Sequence, residues 1–382
     1  MKSKTIKTLG SLLRLGAAFL TLILGSACAY ADFTTREDVT AFIEDIAARN
    51  GLDTAPIYVA LSRANPIPRV IDLIKPPEKR GVRSWRRYRS QFLDPTHMEG
   101  GLRTWAQYEN ELNRAEKQYG VPPEIILGIL GVETIYGRNT GKFETLSALA
   151  TLAFDYPPRA ELFRSELESL FLLAKDQKRD PASYTGSFAG AIGWPQFLPS
   201  SIRRYAVDFD GDGKIDFDSD AVDAIGSIAN YLHEQGWTAD TPVAVRVRFT
   251  PGANPAPLIE AGIEPSLNET QLLEVGVRPL ASSLPAAGNA TLVDLESPGE
   301  DIEYWLGYNN FYVITRYNRS SFYAMAVFQL ASALRTSHDS DGINTAHRKA
   351  KPAKTATAHK ASPRAKAGKK QTPKHVPRKP KK

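Results

Sequence analysis

The chain has 382 residues, 42% of them hydrophobic and 24% charged. That composition excludes a wholly disordered or fibrous protein and leaves room for one large domain, or two modest ones, with a sizeable core. The formal net charge of +6 hides a division, because the body from Asp32 to Asp341 carries 30 basic against 42 acidic residues.

The first 31 residues have the pattern of a secretory signal peptide. Lys2, Lys4, Lys7 and Arg14 form a positive start, Leu12 to Leu24 is a short apolar run, and Ala29-Tyr30-Ala31 is a small-x-small cleavage site. The run is short for a membrane span, and no second apolar stretch follows. Export to the periplasm is therefore expected. The single cysteine, Cys28, lies inside this segment. It is read as a passenger lost on cleavage rather than a lipid-attachment site, because Gly25 stands where such sites carry a large aliphatic residue. The mature chain then has no disulfide, and its core must supply its stability.

Helices are expected over about 34–75, where Val39, Phe42, Ile43, Ile46 and Leu52 fall near helical spacing. Pro66, Pro68, Pro76 and Pro77 interrupt that pattern, and the region 32–100 is read as an N-terminal helical part. A long amphipathic helix is expected from Gly101 to Tyr119, stopped by Gly120. Val121-Pro122-Pro123-Glu124 starts another, with proline in the first turn and an acid at the positive end. Ile125 to Val132 is apolar on every side, which marks a buried helix. Further helices are expected at 143–155 and 159–175. Alternation at Val243, Val245, Val247 and Phe249 marks a strand, and 242–300 is read as a small β-rich insertion. Phe311 to Thr315 is read as a strand and 320–335 as a helix. From Arg348 to Lys382 there are 14 Lys and Arg and no acid. The tail 339–382 is expected to be disordered and basic.

Four places carry chemistry. Glu133 ends the apolar helix, where desolvation raises a carboxyl pKa and keeps it protonated as a general acid requires. The competing reading is a Glu that caps a turn or pairs with Arg138. Ser187 to Ser201 is rich in glycine and small residues that let a ligand approach, with Ser187 and Gln196 as hydrogen-bonding groups; alternatively it is a tight turn before a helix capped by Ser200. Asp208, Asp210, Asp212 and Asp216 occupy positions 1, 3, 5 and 9 of an EF-hand loop, with Gly213 at 6 and the Lys214 carbonyl at 7. Position 12 of that loop 208–219 is Ser219 instead of Glu, so affinity is expected to be weak, and Asp218 or Asp220 is expected to compensate. A calcium ion there would be structural; an Asx-rich turn without metal is the alternative. Tyr231, Tyr317, Asn318 and Tyr323 suit sugar rings and acetamido groups, or are core tyrosines with satisfied hydroxyls.

Taken together, in order and spacing, these segments resemble the lytic transglycosylase B family of murein-cleaving enzymes. The resemblance runs from about Trp85 to Leu334 and rests on Val121–Glu124, Gly131–Gly137, Ser187–Ser201, the acidic loop with Val222–Ser227, and Ile314–Asn318. Trp194-Pro195 departs from the smaller or aromatic residues common there. The resemblance implies a mainly α (α+β) protein with a lysozyme-like core over 101–338, an embedded EF-hand and a small β portion. It implies Glu133 as the single acid/base, with Tyr88, Arg159, Ser187, Gln196, Tyr231, Tyr317, Asn318 and Tyr323 along the glycan cleft. It further implies non-hydrolytic cleavage between MurNAc and GlcNAc to a 1,6-anhydro product.

Two other functions compete: a hydrolytic muramidase, which needs a second carboxylate such as Glu109, Glu111, Glu144 or Asp155, and a calcium-stabilised wall-binding protein without activity. Peptidoglycan is the expected partner of a monomer. The basic tail suits anionic envelope polymers, and export argues against nucleic acid.

Overall fold

The computed structural model describes residues 33–76, 82–280 and 283–350, with side chains described to 340. The expected signal segment, Cys28 and the tail from 351 onward lie outside the described residues. Two compact units are distinguished, Met1–Ser337 and His338–Lys382.

The first unit begins with three helices, α1 (Glu37–Asn50), α2 (Thr54–Arg63) and α3 (Pro68–Ile74). Gly51 ends α1 in the left-handed conformation, which glycine adopts without strain. Then come α4 (Trp85–Arg89), α5 (Pro95–Gln107), α6 (Glu109–Tyr119) and α7 (Pro123–Thr134). A short strand β1 (Phe143–Glu144) leads to α8 (Thr145–Asp155) and α9 (Ala160–Gln177), and β2 (Thr185–Gly186) pairs antiparallel with β1. Next are α10 (Pro199–Tyr205) and α11 (Val222–Glu234), which flank the acidic loop.

The β portion holds β3 (Ala244–Phe249), α12 (Ala256–Glu260), α13 (Glu269–Glu274), β4 (Val277–Pro279), β5 (Thr291–Leu295) and β6 (Glu303–Gly307). Its four antiparallel strands run in the order β4-β3-β6-β5 over a small core of Val247, Leu258, Leu272, Val277 and Leu292. The chain closes with α14 (Asn309–Tyr317) and α15 (Ser321–Ala350).

Three expectations are corrected. The helix expected over 101–119 is two helices that break at Tyr108, whose ψ of 29° departs from helical geometry and starts α6 with Glu109 and Glu111 in its first turn. Phe311–Thr315 is helical, not a strand. Phe311, Val313 and Ile314 are all buried, and with Asn310 they form the inner side of a short helix, so a run of β-branched and aromatic residues reflects burial here. Helical structure also continues to Ala350, past the expected start of the tail at 339. In addition, the sheet reaches Gly307, because β6 lies between β3 and β5.

One large core runs from Phe33 to Leu334. At its centre α7 buries every residue from Ile125 to Gly131, as its all-round apolar sequence requires. Its first turn is held by an ion pair from Arg335 to Glu124 at 2.6 Å. The N-terminal helices share this core with α8 and α9. The backbone amides of Asn65 and Ile67 donate to Ser147 and Thr151 of α8, each at 2.9 Å, and Arg36 pairs with Asp155 at 2.6 Å. Among the described residues no helix is long and apolar enough to cross a membrane.

Close approach of α7 to α15 depends on Gly128, where a Cβ would stand 2.7 Å from the Val327 carbonyl oxygen. Alanine favours a helix over glycine by about 1 kcal/mol, but overpacking against backbone costs about 1–3 kcal/mol. Gly128→Ala is therefore expected to lower the thermal unfolding midpoint; an unchanged or higher midpoint would show that the two helices separate freely.

Candidate active site

Glu133 is the penultimate residue of α7. The residue keeps some surface, but its carboxyl group lies deep among aromatic rings, and Oε1 accepts the Tyr323 hydroxyl hydrogen at 2.6 Å. Burial pushes the Glu133 carboxyl up to about 7, with the Tyr323 hydrogen bond pulling the other way. The group is therefore poised between acid and base near neutrality. Arg138 is exposed and makes no ion pair with it among the described residues.

The chain turns sharply just beyond it. Ile135 and Tyr136 both sit at positive φ, 52° and 56°, which is strained for a β-branched and a bulky residue. The Tyr136 ring pays for its position by filling a slot that Gly100, Gly101 and Gly131 leave open; a Cβ at any of them would come within 2.8 Å of that ring or its hydroxyl. Thr134 fastens the turn. Its hydroxyl donates to the Trp194 carbonyl at 3.0 Å and accepts the Gly137 N–H at 3.0 Å.

A stack of aromatic side chains backs the carboxyl group. Tyr323, 2% exposed, stacks on Tyr317 with centroids 6.4 Å apart, and Tyr317 meets Tyr231 edge-on at 5.0 Å. The Tyr317 hydroxyl donates to the Pro195 carbonyl, and the Tyr231 hydroxyl to the Arg316 carbonyl at 2.7 Å. Burial holds the Tyr317 and Tyr323 hydroxyls well above the usual tyrosine range, with the Glu133 charge adding to it. The hydroxyls of Tyr231 and Tyr317 are thus spent on backbone, which makes these residues a rigid wall.

Tyr88 of α4 packs against Trp85, Phe92 and Phe322. Burial raises its hydroxyl pKa first and the Glu133 charge second, which places it at the same site. Its α4 turn is tied to the β portion, where the Trp85 and Arg86 amides donate to the Glu296 carbonyl (2.6 Å) and Ser297 hydroxyl (2.9 Å).

The segment from Ser187 to Ser201 forms another wall. Ser187 Oγ accepts the amides of Ala189 and Ala191 at 3.3 and 3.1 Å, closing a tight turn. Gln196 has a φ of 50°, and its amide nitrogen donates to Thr140 and Gly193 carbonyls at 3.0 and 2.8 Å. Ser200 does not cap α10, whose N-cap is Leu198; its amide and hydroxyl bind Glu166 at 3.0 and 2.7 Å. Asn318 is exposed at the end of α14, beside Tyr317. Arg159 is exposed on the turn before α9, its guanidinium 5.3 Å from the Phe163 ring, and no described contact joins it to Glu133, Tyr317 or Tyr323.

The competing carboxylates have other partners or positions. Asp155 pairs with Arg36, Glu144 accepts the Ser147 hydroxyl at 2.9 Å, and Glu109 and Glu111 open α6. None contributes to the raised Glu133 pKa.

In the acidic loop, carboxylate oxygens of Asp208, Asp210 and Asp212 lie within 4.8 Å of one another. Asp208 also accepts the amides of Gly211, Asp212 and Gly213 at 2.8, 3.1 and 2.8 Å. Desolvation pushes the Asp208 carboxyl up, but these amides outweigh it and hold it below the usual range. The Lys214 amide donates to Asp212 at 2.8 Å, and Ser219 donates its hydroxyl to Asp216. Asp218 and Asp220 are not among the converging carboxylates. Asp218 pairs with Arg179 at 2.9 Å, and Asp220 accepts the Val222 amide at 2.8 Å, opening α11.

Sequence reasoning assigned no role to Asp223, which is 3% exposed and accepts the amides of Phe209 and Asp216, both at 2.7 Å, tying the loop to α11. A buried acid one residue into the outgoing helix was the available signal. Thr134 was visible only as the neighbour of Glu133.

The Transglycosylase SLT domain family matches residues 34–332. The membrane-bound lytic murein transglycosylase B of Escherichia coli (strain K12) is 44% identical over 321 residues, covering 79% of this chain and 84% of that protein. The structure of E. coli lytic transglycosylase Slt35 in complex with calcium superposes with a TM-score of 0.72 at 43% identity, covering 80% and 95% of the two chains. SltB3 of Pseudomonas aeruginosa, in complex with NAG-anhNAM-pentapeptide, gives 0.69 at 29% identity and 80% coverage of each. With a lysozyme-like fold and one carboxyl group buried among tyrosines, the chain belongs to the lytic murein transglycosylase family.

Proposed function

We propose that the protein cleaves the MurNAc-β-1,4-GlcNAc bond of peptidoglycan with Glu133 as sole acid and base, releasing 1,6-anhydro-MurNAc ends. The observation that carries this reading is the Glu133 carboxyl, raised to about 7 by burial and bonded to Tyr323, with no second carboxylate acting on it. The protonated carboxyl gives its proton to the glycosidic oxygen as the C1–O bond breaks. The acetamido oxygen of MurNAc stabilises the developing positive charge at C1. The Glu133 carboxylate then takes the proton of the C6 hydroxyl, whose oxygen bonds to C1 of the same sugar. Glu133 ends protonated, and no water enters the products. Tyr88, Tyr317 and Tyr323 border the reacting sugar, Tyr231 backs them, and Ser187, Gln196 and Asn318 lie along the strand. Arg159 is assigned to the peptide-bearing part of the substrate. Peptidoglycan-fragment complexes of a relative support this substrate.

The acidic loop would hold a structural calcium through Asp208, Asp210 and Asp212, with the Lys214 carbonyl and the Ser219 side completing the set. Three convergent carboxylates suit a hard divalent cation. The missing twelfth-position carboxylate, with Asp218 and Asp220 bonded to other groups, points to weak binding. The signal pattern and the membrane-bound relative support export. A monomer in the periplasm, with the basic tail towards anionic envelope polymers, completes the reading.

Mass spectrometry of sacculi digested with the protein is expected to give muropeptides one water lighter than reducing ones. Glu133→Gln is expected to bind glycan and release none; soluble anhydro products from that variant would remove Glu133 from its role. The raised pKa also has a stability consequence. Between the ordinary carboxyl pKa and about 7 the folded state holds a proton that the unfolded state has lost, so stability falls as pH rises through that window. The Glu133→Gln protein should therefore gain in thermal midpoint over the wild type at pH 8 relative to pH 4, and a pH-independent difference would contradict the raised pKa.

Tyr323→Phe removes the hydrogen bond that lowers the Glu133 pKa. The alkaline limb of its kcat/KM profile should move to higher pH, while kcat falls. A downward move would mean that Tyr323 bonds the neutral acid more strongly than the carboxylate. For calcium, added ion should raise the melting temperature of the wild type and leave the Asp208→Ala/Asp212→Ala double variant unchanged; equal responses would exclude the loop as the site.

A further inference from the structure

We propose that Phe217 and Trp194 are positioning residues that link occupancy of the acidic loop to the placement of Glu133. The inference rests on the calcium reading above and adds a catalytic consequence to it.

Phe217 follows Asp216 in the loop and is 4% exposed. Its carbonyl accepts the Trp194 N–H at 3.0 Å, and its side chain and backbone press on Gly193, where a Cβ would stand 2.4 Å from the Phe217 Cβ. Gly193 holds a φ of 68° there, so the contact fixes both partners. Trp194 continues the path in two ways. Its carbonyl accepts the Thr134 hydroxyl at 3.0 Å, one residue from Glu133, and its ring lies over Gly137, where a Cβ would come within 2.2 Å of it. In parallel, the Phe217 ring meets Phe197 edge-on at 5.9 Å, and Phe197 packs 5.7 Å from Tyr317. The loop thus touches the strained turn after Glu133 and the tyrosine wall behind it through one residue each.

Without a cation, three carboxylates within 4.8 Å repel one another, and a bound ion reverses that. Asp223 ties Phe209 and Asp216 to α11. Order imposed at the cluster is therefore shared with Phe217 instead of being lost in slack backbone. A link of packed rings and single hydrogen bonds of this kind transmits only small displacements, but an error of about 1 Å in a general acid costs about 10²-fold in rate.

The test uses the purified protein with calcium or chelator and reads thermal midpoint, tryptophan fluorescence and kinetics on sacculi. Calcium is expected to raise the midpoint and to change the fluorescence, with most of that change absent in Trp194→Phe. Chelation is expected to lower kcat about tenfold with little effect on KM. In Thr134→Val the midpoint and fluorescence responses should persist while the calcium dependence of kcat shrinks to what the Phe197 path carries, and Thr134→Ser, which keeps the hydroxyl, should restore it. If calcium raises the midpoint but leaves the Trp194 signal silent, or if Thr134→Val keeps the full calcium dependence of kcat, the link is refuted and the ion only stabilises. If calcium leaves even the wild-type midpoint unchanged, the calcium reading falls and takes this proposal with it.

Discussion

The hydrogen bond from the Tyr323 hydroxyl to Glu133 joins the end of α7 to the first turns of α15 and sets the terms for everything around it. A carboxyl group placed at the end of an apolar helix would ordinarily reach for water or a cation. Here it meets tyrosine rings, and the one polar partner it receives is neutral. The result is a group that is neither firmly ionised nor firmly protonated near neutrality. That state requires poorly hydrated surroundings, and the rings of Tyr88, Tyr317 and Tyr323 supply them.

Keeping such a group in place carries a structural cost, and the fold shows where it is met. The two left-handed residues after Thr134 end α7 abruptly, so that the chain leaves without covering the carboxyl group. Strain of this kind persists only where neighbours over-determine it. Gly100, Gly101 and Gly131 leave the slot that Tyr136 fills, although its buried hydroxyl finds no hydrogen-bond partner among the described residues. The Thr134 bond to the Trp194 carbonyl holds the other side. The close helix contacts at Gly128 and the strained turn are thus parts of one arrangement, in which a packed core holds a single carboxyl group away from full hydration.

Much of this was legible in the sequence, and the unread parts share a cause. The buried helix, its proline start, the terminal Glu and the spaced aspartates are local patterns, and local patterns survive translation into structure. The break at Tyr108 and the helical state of Phe311–Thr315 are not local. Each is decided by which neighbours cover the segment, as when burial of Phe311, Val313 and Ile314 on one side makes a β-like composition helical. The same holds for side-chain roles. Nothing in the spacing of Tyr231 reveals that its hydroxyl is committed to the Arg316 carbonyl, or that Asp218 is paired with Arg179. Asp223 looked like any acid at a helix start until both of its oxygens were found on loop amides.

The character of the pocket also constrains the chemistry that fits it. A hydrolytic or covalent route needs a second carboxylate to hold a water or to attack the sugar. Among the described residues none acts on Glu133, and the walls nearest to it are aromatic. An ionised second acid in those surroundings would raise the Glu133 pKa further and hinder its return to the carboxylate form that the second half of the proposed reaction requires. In that proposal the acetamido group of the substrate takes the place of such an acid, so the pocket need not hold a second negative charge. The proton given to the departing sugar would be replaced by the proton of the attacking hydroxyl. A carboxyl group backed by aromatic rings, with no acid beside it to hold a water, would thus suit the intramolecular hydroxyl as nucleophile, because that group arrives already bound and needs no side chain to hold it.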